Sequence, residues 1–285
     1  MPRPEYRSVV FAGGGNRCTW QAGFWEVVAP ALPLRPRVVA GVSAGAAIAC
    51  CALAGRSRQA LAHYDRELLK NPRNFYWGRL LKGRRPFPHL AIYRHALLTL
   101  LDAPALARLR AGPEVRVLLA RPPAWSGALG GVALGFLAYT LEKHLRSPLH
   151  PELPARLGFR PQVVPLSDCA TPEEAAELIL ASSCTPPVLP VMRRGGGPVL
   201  DGGLIDNVPL AALGPGDGPS LILLTRRYRP EQLSGHPGRT YVQPSRPVPA
   251  AKWDYTDPAA LHAAFALGLA DGQRFLEGGP AALQA

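Results

Sequence analysis

The sequence predicts an α/β fold with a mostly parallel central sheet, and three observations predict it. A β-rich run from Ser8 to Ala12 ends in glycines and gives way to a helical pattern from Thr19 to Val28. The same order recurs directly afterwards, with Val38 to Ala40, a glycine turn and a helix of small residues from Ala44 to Ala54. Further strand candidates alternate with helix signals later in the chain, the arrangement that parallel crossover units require.

In chain order, those later strand candidates are Val115 to Ala120, Gln162 to Pro165 and Leu221 to Thr225. Helix starts are marked at Thr171-Pro172-Glu173-Glu174, a capping box with proline in the first turn, and at Asp257-Pro258. Residues 122 to 141 carry no charge over 20 positions, about the length that spans a bilayer as a helix. A single crossing would put the two halves of the chain on opposite sides of a membrane. Because the site residues identified below come from both halves, the segment is expected to be a core helix or a membrane-dipping one.

Composition excludes disorder and collagen: 47% of the 285 residues are hydrophobic and only 18% charged, and the 29 glycines and 32 prolines follow no three-residue period. The net charge is +12, and residues 56 to 95 hold ten Lys or Arg against Asp65 and Glu67, so two thirds of it lies in that stretch. Tyr64, Phe75, Tyr76, Trp77, Phe87 and Tyr93 are interleaved there. Such a stretch suits an anionic membrane surface, a nucleic acid or simply a solvated face. The five cysteines are an odd number without metal-site spacing, as expected of buried thiols in a reduced compartment. The N-terminus shows no secretory apolar region, so a cytoplasmic protein is expected, possible contact being with the inner face of the membrane.

Three motifs carry chemistry. Gly41-Val42-Ser43-Ala44-Gly45 is a G-x-S-x-G elbow between a β-branched run and a helix, where Gly41 and Gly45 permit the sharp turn and Ser43 projects at a helix N-terminus. Gly13-Gly14-Gly15-Asn16-Arg17 offers consecutive N–H groups to an anion, whether phosphate or oxyanion. It is not a Walker loop, and Cys18 stands where a dinucleotide fingerprint needs its third glycine. Asp201-Gly202-Gly203 places a carboxylate in a tight turn. A Ser-His-Asp triad would need a later histidine, for which His236 is the better placed of the two that follow Asp201. Against it, Ser43 comes too early for the strands that normally precede such an elbow.

Together the three motifs resemble those of the patatin-like phospholipases, with a glycine-rich oxyanion loop, a serine elbow soon after it and a late Asp-Gly-Gly. Ile179 to Pro187 and Asp206-Asn207-Val208-Pro209 also look like the family's surroundings of that aspartate. The resemblance covers residues 8 to about 225 and is weak over 56 to 160.

The resemblance implies a three-layer fold, a mostly parallel sheet flanked by helices with a variable helical cap at about 56 to 160, the whole of residues 1 to 285 forming one domain. It implies a lipid acyl hydrolase with a Ser43–Asp201 dyad, Ser43 as nucleophile and Asp201 as general base, and with Gly13, Gly14 and Gly15 as the oxyanion loop. Arg17 is left with two roles, fixing the loop or meeting a lipid phosphate. The family pattern often has glycine where this chain has Cys18. No metal and no cofactor are implied; the partners expected are a lipid or phospholipid substrate and an anionic membrane surface, not nucleic acid. Two alternatives stay open, a non-catalytic membrane-peripheral lipid-binding protein of the same fold and an esterase triad through His236. Acyl preference and oligomeric state are not readable.

Overall fold

The computed structural model describes residues 5–32, 34–127, 130–135, 137, 140 and 149–283. Among the described residues the strands are β1 (Ser8–Phe11), β2 (Val38–Val42), β3 (Glu114–Arg121), β4 (Arg160–Pro165), β5 (Met192–Arg194), β6 (Gly197–Asp201), β7 (Ser220–Leu223) and β8 (Arg239–Val242). Helices of two turns or more that lie wholly within the described residues are α1 (Thr19–Ala31), α2 (Ala44–Leu53), α3 (Ser57–Leu69), α5 (His89–Leu100), α6 (Ala103–Ala111), α7 (Pro172–Ser182) and α8 (Pro258–Gly278); the single turn α4 (Trp77–Leu80) lies between α3 and α5.

Strands β8, β7, β1, β2 and β3 lie side by side and all pair in parallel, whereas β4 and β6 pair antiparallel with β3, and β5 antiparallel with β6. The mostly parallel sheet flanked by helices is therefore present as the sequence predicted, and each predicted strand occurs within a residue or two of its place. β1, β2 and β7 are buried along their whole length, as strands covered on both faces must be.

Side chains alternate between the two faces with the period of two that a strand dictates. Val9, Phe11, Val39, Leu221 and Leu223 meet Trp20, Phe24 and Val28 of α1 and Leu267 and Phe275 of α8. Val10, Ala40 and Ile222 face the other way, against Val208, Ala212, Tyr228 and Leu233. Among the described residues named, those on the second face come from short turns and single-turn helices. Each fully buried Phe or Leu contributes roughly 1.5–3 kcal/mol, so both layers are needed to hold the strands that carry the site.

α1 and α8 touch backbone to backbone. A Cβ on Gly23 would overlap the Phe265 carbonyl and one on Gly268 the Trp20 carbonyl. Trp20 Nε1 donates to buried Asp271 Oδ2 at 2.8 Å, which fixes the crossing.

The basic stretch forms α3, α4 and α5. Arg79, Lys82, Arg84 and Arg85 are exposed, as are Trp77, Leu80 and Leu81 at 70%, 47% and 86%. The uncharged segment 122–141 lies partly outside the described residues. Its residues 130–135 are helical, and Val132 and Leu134 pack with Phe159, Leu204 and Ile205. Among the described residues no helix is long and apolar enough to cross a membrane.

Candidate active site

The registers of β3 explain why Ser43 and Asp201, far apart in sequence, meet. β2 pairs with Glu114 to Leu118 and ends with Val42 opposite Leu118. β4 covers Arg116 to Arg121, so β6, which pairs Asp201 with Leu119 and Leu200 with Ala120, takes the edge that β2 has just vacated. The C-terminal ends of β2 and β6 meet there, and the next atoms out are the side chains of Ser43 and Asp201.

Ser43 Oγ donates to Asp201 Oδ2 at 2.9 Å, and both residues are buried. Ser43 is the only residue other than glycine, among those described, with a positive φ, 54°. That strained elbow is held from behind. The Ser43 N–H donates to Ser182 Oγ at 2.8 Å, and Ser182 Oγ donates to the Leu118 carbonyl at 2.6 Å. The close fit also requires the elbow glycines: a Cβ on Gly41 would lie 2.6 Å from Ala46 Cα, and one on Gly45 would overlap the Ala12 carbonyl.

Asp201 is oriented on both oxygens. Thr185 Oγ1 donates to Oδ2 at 3.1 Å, and the Gly203 N–H donates to Oδ1 at 2.7 Å. Burial pushes its carboxyl above the ordinary carboxylate range, opposed first by the positive charge of Lys252 and then by the hydrogen bonds from Gly203, Ser43 and Thr185.

The glycine loop is clamped at Gly13. Its carbonyl accepts from Thr225 Oγ1 at 2.6 Å and Asn207 Nδ2 at 2.8 Å, and its N–H donates to the Asn207 carbonyl at 2.9 Å. The N–H of Gly13 thus already has a backbone partner. The N–H groups of Gly14 and Gly15 have no partner within the described residues. Arg17 Nε reaches the Gly14 carbonyl at 3.4 Å.

Beside this loop lies a narrow, largely apolar pocket. Its lining begins at Gly15, Asn16 and Ala44 and continues between α1, α2, α3, α5 and α8 over Ala47, Ile48, Leu61, Tyr64, Leu97 and Phe265.

A family model described as patatin-like phospholipase matches residues 9–213. The chain belongs to the patatin-like phospholipase family. Membership carries lipid acyl hydrolase activity as the family's general chemistry. A search of curated proteins finds no match. Among solved structures, VipD from Legionella pneumophila is similar at a TM-score of 0.46 and 12% identity, over 97% of this chain and 67% of that one.

In this patatin-like phospholipase no histidine contacts Ser43 or Asp201 among the described residues. His236 Nε2 instead lies 3.3 Å from the Gln232 carbonyl, with its ring against Tyr241. β8, which follows His236, is separated from β2 by β7 and β1, so the fold does not bring His236 to Ser43. Sequence reasoning missed Lys252, beyond the matched region. Its carbonyl accepts the Asn16 N–H at 3.2 Å, its stem crosses Gly15, and its Nζ stands 4.9 Å from the centre of the Trp253 ring. Burial pulls its ammonium below the ordinary lysine range, opposed chiefly by Asp201. Ser182, Thr185 and Asn207 fall inside segments that the family resemblance had singled out, but no role could be given to them from sequence.

Proposed function

We propose that this chain is a serine lipid acyl hydrolase of the phospholipase A or esterase type that works through a Ser43–Asp201 dyad. The observation that carries the reading is the 2.9 Å hydrogen bond from Ser43 Oγ to Asp201 Oδ2, at a strained strand-to-helix turn beside unpartnered backbone N–H groups. Asp201 accepts the Ser43 proton as Oγ attacks the ester carbonyl. The N–H groups of Gly14 and Gly15 stabilise the oxyanion, each such donor typically lowering the barrier by about 3 kcal/mol. Collapse transfers the acyl group to Ser43 and returns the proton from Asp201 to the leaving alcohol. Water then attacks the acyl-enzyme with Asp201 again as base, and the fatty acid departs. None of these steps calls for a metal or a cofactor.

The apolar pocket supports a fatty acyl chain as the group transferred, since its lining includes Ala44, the residue after Ser43, and Gly15 of the glycine loop. The exposed Trp77, Leu80 and Leu81 among Arg79, Lys82, Arg84 and Arg85 support docking on an anionic bilayer, apolar side chains entering the interface and cations meeting headgroups. In this reading the whole chain acts as one hydrolase domain, a cytoplasmic protein that works at the inner membrane face.

The test is covalent labelling by a fluorophosphonate combined with a panel of phospholipid and acyl ester substrates. Wild type should label at Ser43 and release fatty acid. Ser43→Ala should do neither, and Asp201→Asn should lose hydrolysis while keeping the fold. Liposome binding without labelling or turnover would instead establish a non-catalytic lipid-binding protein.

A further inference from the structure

Outside the proposed active site, the described residues contain a second cluster with a chemistry of its own. His63 and Glu67 lie four residues apart on α3, hence on one face of the helix. His95 faces them from α5. Each residue offers one donor atom, and the three atoms lie within 4.8 Å of one another. We propose that His63, Glu67 and His95 form a zinc site that pins α3 to α5.

The geometry is close to what one ion requires. His95 Nδ1 stands 3.6 Å from Glu67 Oε2, and two donors each about 2.1 Å from a tetrahedral zinc are about 3.4 Å apart. The rings of His63 and His95 have centroids 5.1 Å apart at an interplanar angle of 63°, so they converge edge to face rather than stack. Only side-chain adjustments of an ångström or so are needed to bring the three donors onto one centre.

Two further observations separate this cluster from a chance surface grouping. His63 is only 4% exposed, and its Nε2 is buried with no hydrogen-bond partner. Such an orphaned imidazole is costly unless something completes it. Glu67 is already oriented, because Lys70 Nζ holds its other oxygen, Oε1, at 3.1 Å and leaves Oε2 to the cluster. His95, by contrast, is exposed, which supplies the entry path and leaves room for water as a fourth ligand.

The donor set decides the class of metal. Two imidazoles and one carboxylate suit zinc and the late first-row metals, whereas calcium and magnesium need oxygen ligands. The positive charges of Arg66 and Lys70 near His63 oppose a dication, so the affinity is lower than that of a closed four-ligand site. The role is structural. Leu61 and Tyr64 of α3 and Ala96 and Leu97 of α5 wall the apolar pocket, so the ion would clamp two of its walls from outside, whatever the pocket holds.

The test uses the full chain without a histidine tag, titrated with zinc chloride by calorimetry and with cobalt(II) followed by visible absorption. Wild type should bind one equivalent, gain thermal stability on zinc addition, and show ligand-field bands of a nitrogen–oxygen site. His95→Ala and Glu67→Gln, both at solvent-accessible positions that leave the fold intact, should each weaken binding at least about tenfold and abolish the thermal gain. His262→Ala, at a histidine paired with Asp65 at 3.0 Å, should bind as wild type. The proposal is overturned if wild type shows neither binding nor thermal gain, if His95→Ala binds zinc like wild type, or if cobalt gives thiolate charge-transfer bands.

Discussion

Val42 and Asp201 occupy successive places along one edge of β3, opposite Leu118 and Leu119. The separation of Ser43 from the carboxylate is thus fixed by backbone pairing, about one strand residue of rise, and not by the conformation of a loop. Gly202 fills the angle between the strands, where a Cβ would lie 2.8 Å from Val42 Cγ2 and overlap the Leu118 carbonyl.

Gly202→Ala should therefore move Asp201 away from Ser43 without touching either residue. A displacement of about 1 Å at reacting groups costs on the order of 100-fold in rate. Steady-state kinetics on a soluble ester should show that fall in kcat with KM nearly unchanged, while circular dichroism reports a folded chain. Full activity would mean that β6 can shift without consequence for the dyad.

Asp201 acts as a base only when ionised, and burial raises its pKa above the ordinary 3.8 while Lys252 is the first influence holding it down. The acid limb of kcat/KM against pH should rise above the free aspartate range. Lys252→Met should move that limb to higher pH, and Lys252→Arg should restore it. Because the folded state holds this proton more tightly than the unfolded chain, the stability contributed by Asp201 falls as pH rises from 3.8 through the raised value. Asp201→Asn should accordingly melt no lower than wild type at neutral pH. A limb that Lys252→Met leaves in place would show that the ammonium does not act on Asp201.

Ala47 lines the apolar pocket on the face of α2 that carries Ala44. Ala47→Phe should shorten the space for an acyl chain, at an overpacking cost of about 1–3 kcal/mol. With a series of p-nitrophenyl esters, butyrate hydrolysis should persist and palmitate hydrolysis should drop at least about tenfold. An equal loss on both would place the chain elsewhere.

Reversing Arg79, Lys82, Arg84 and Arg85 to glutamate should weaken action on anionic vesicles and spare the soluble butyrate ester. All four are exposed, so thermal stability should change little. The contrast between the two substrates, and its loss at high salt, is the measurement.

Much of the site was legible because close backbone approach leaves marks in the sequence. Gly41 and Gly45 are glycines because Ala46 and Ala12 leave no room for a Cβ, and a run of such constraints in fixed order is what identifies the family. Of the parallel strands, β1, β2, β3 and β7 were equally plain as apolar runs, whereas β8, Arg239–Val242, was not among the candidates. Nor was β6, since Gly197-Pro198 reads as a turn and the strand exists only through its pairing with β3 and β5. α3 and α5 read as a charged stretch, their buried stripes being broken by Arg and His. Lys252 carries no local signal at all: a lone lysine after alanine becomes relevant only when the chain folds it over Gly15.

The positive φ of Ser43, 54°, makes thermal robustness a poor guide to a working protein here. A side chain in that conformation costs about 1–3 kcal/mol, and glycine would relieve it. Ser43→Gly should raise the melting temperature while ending ester hydrolysis. A library of variants ranked on heat resistance alone would then favour this inert protein over the wild type, so any effort to harden the molecule has to select on turnover at the same time.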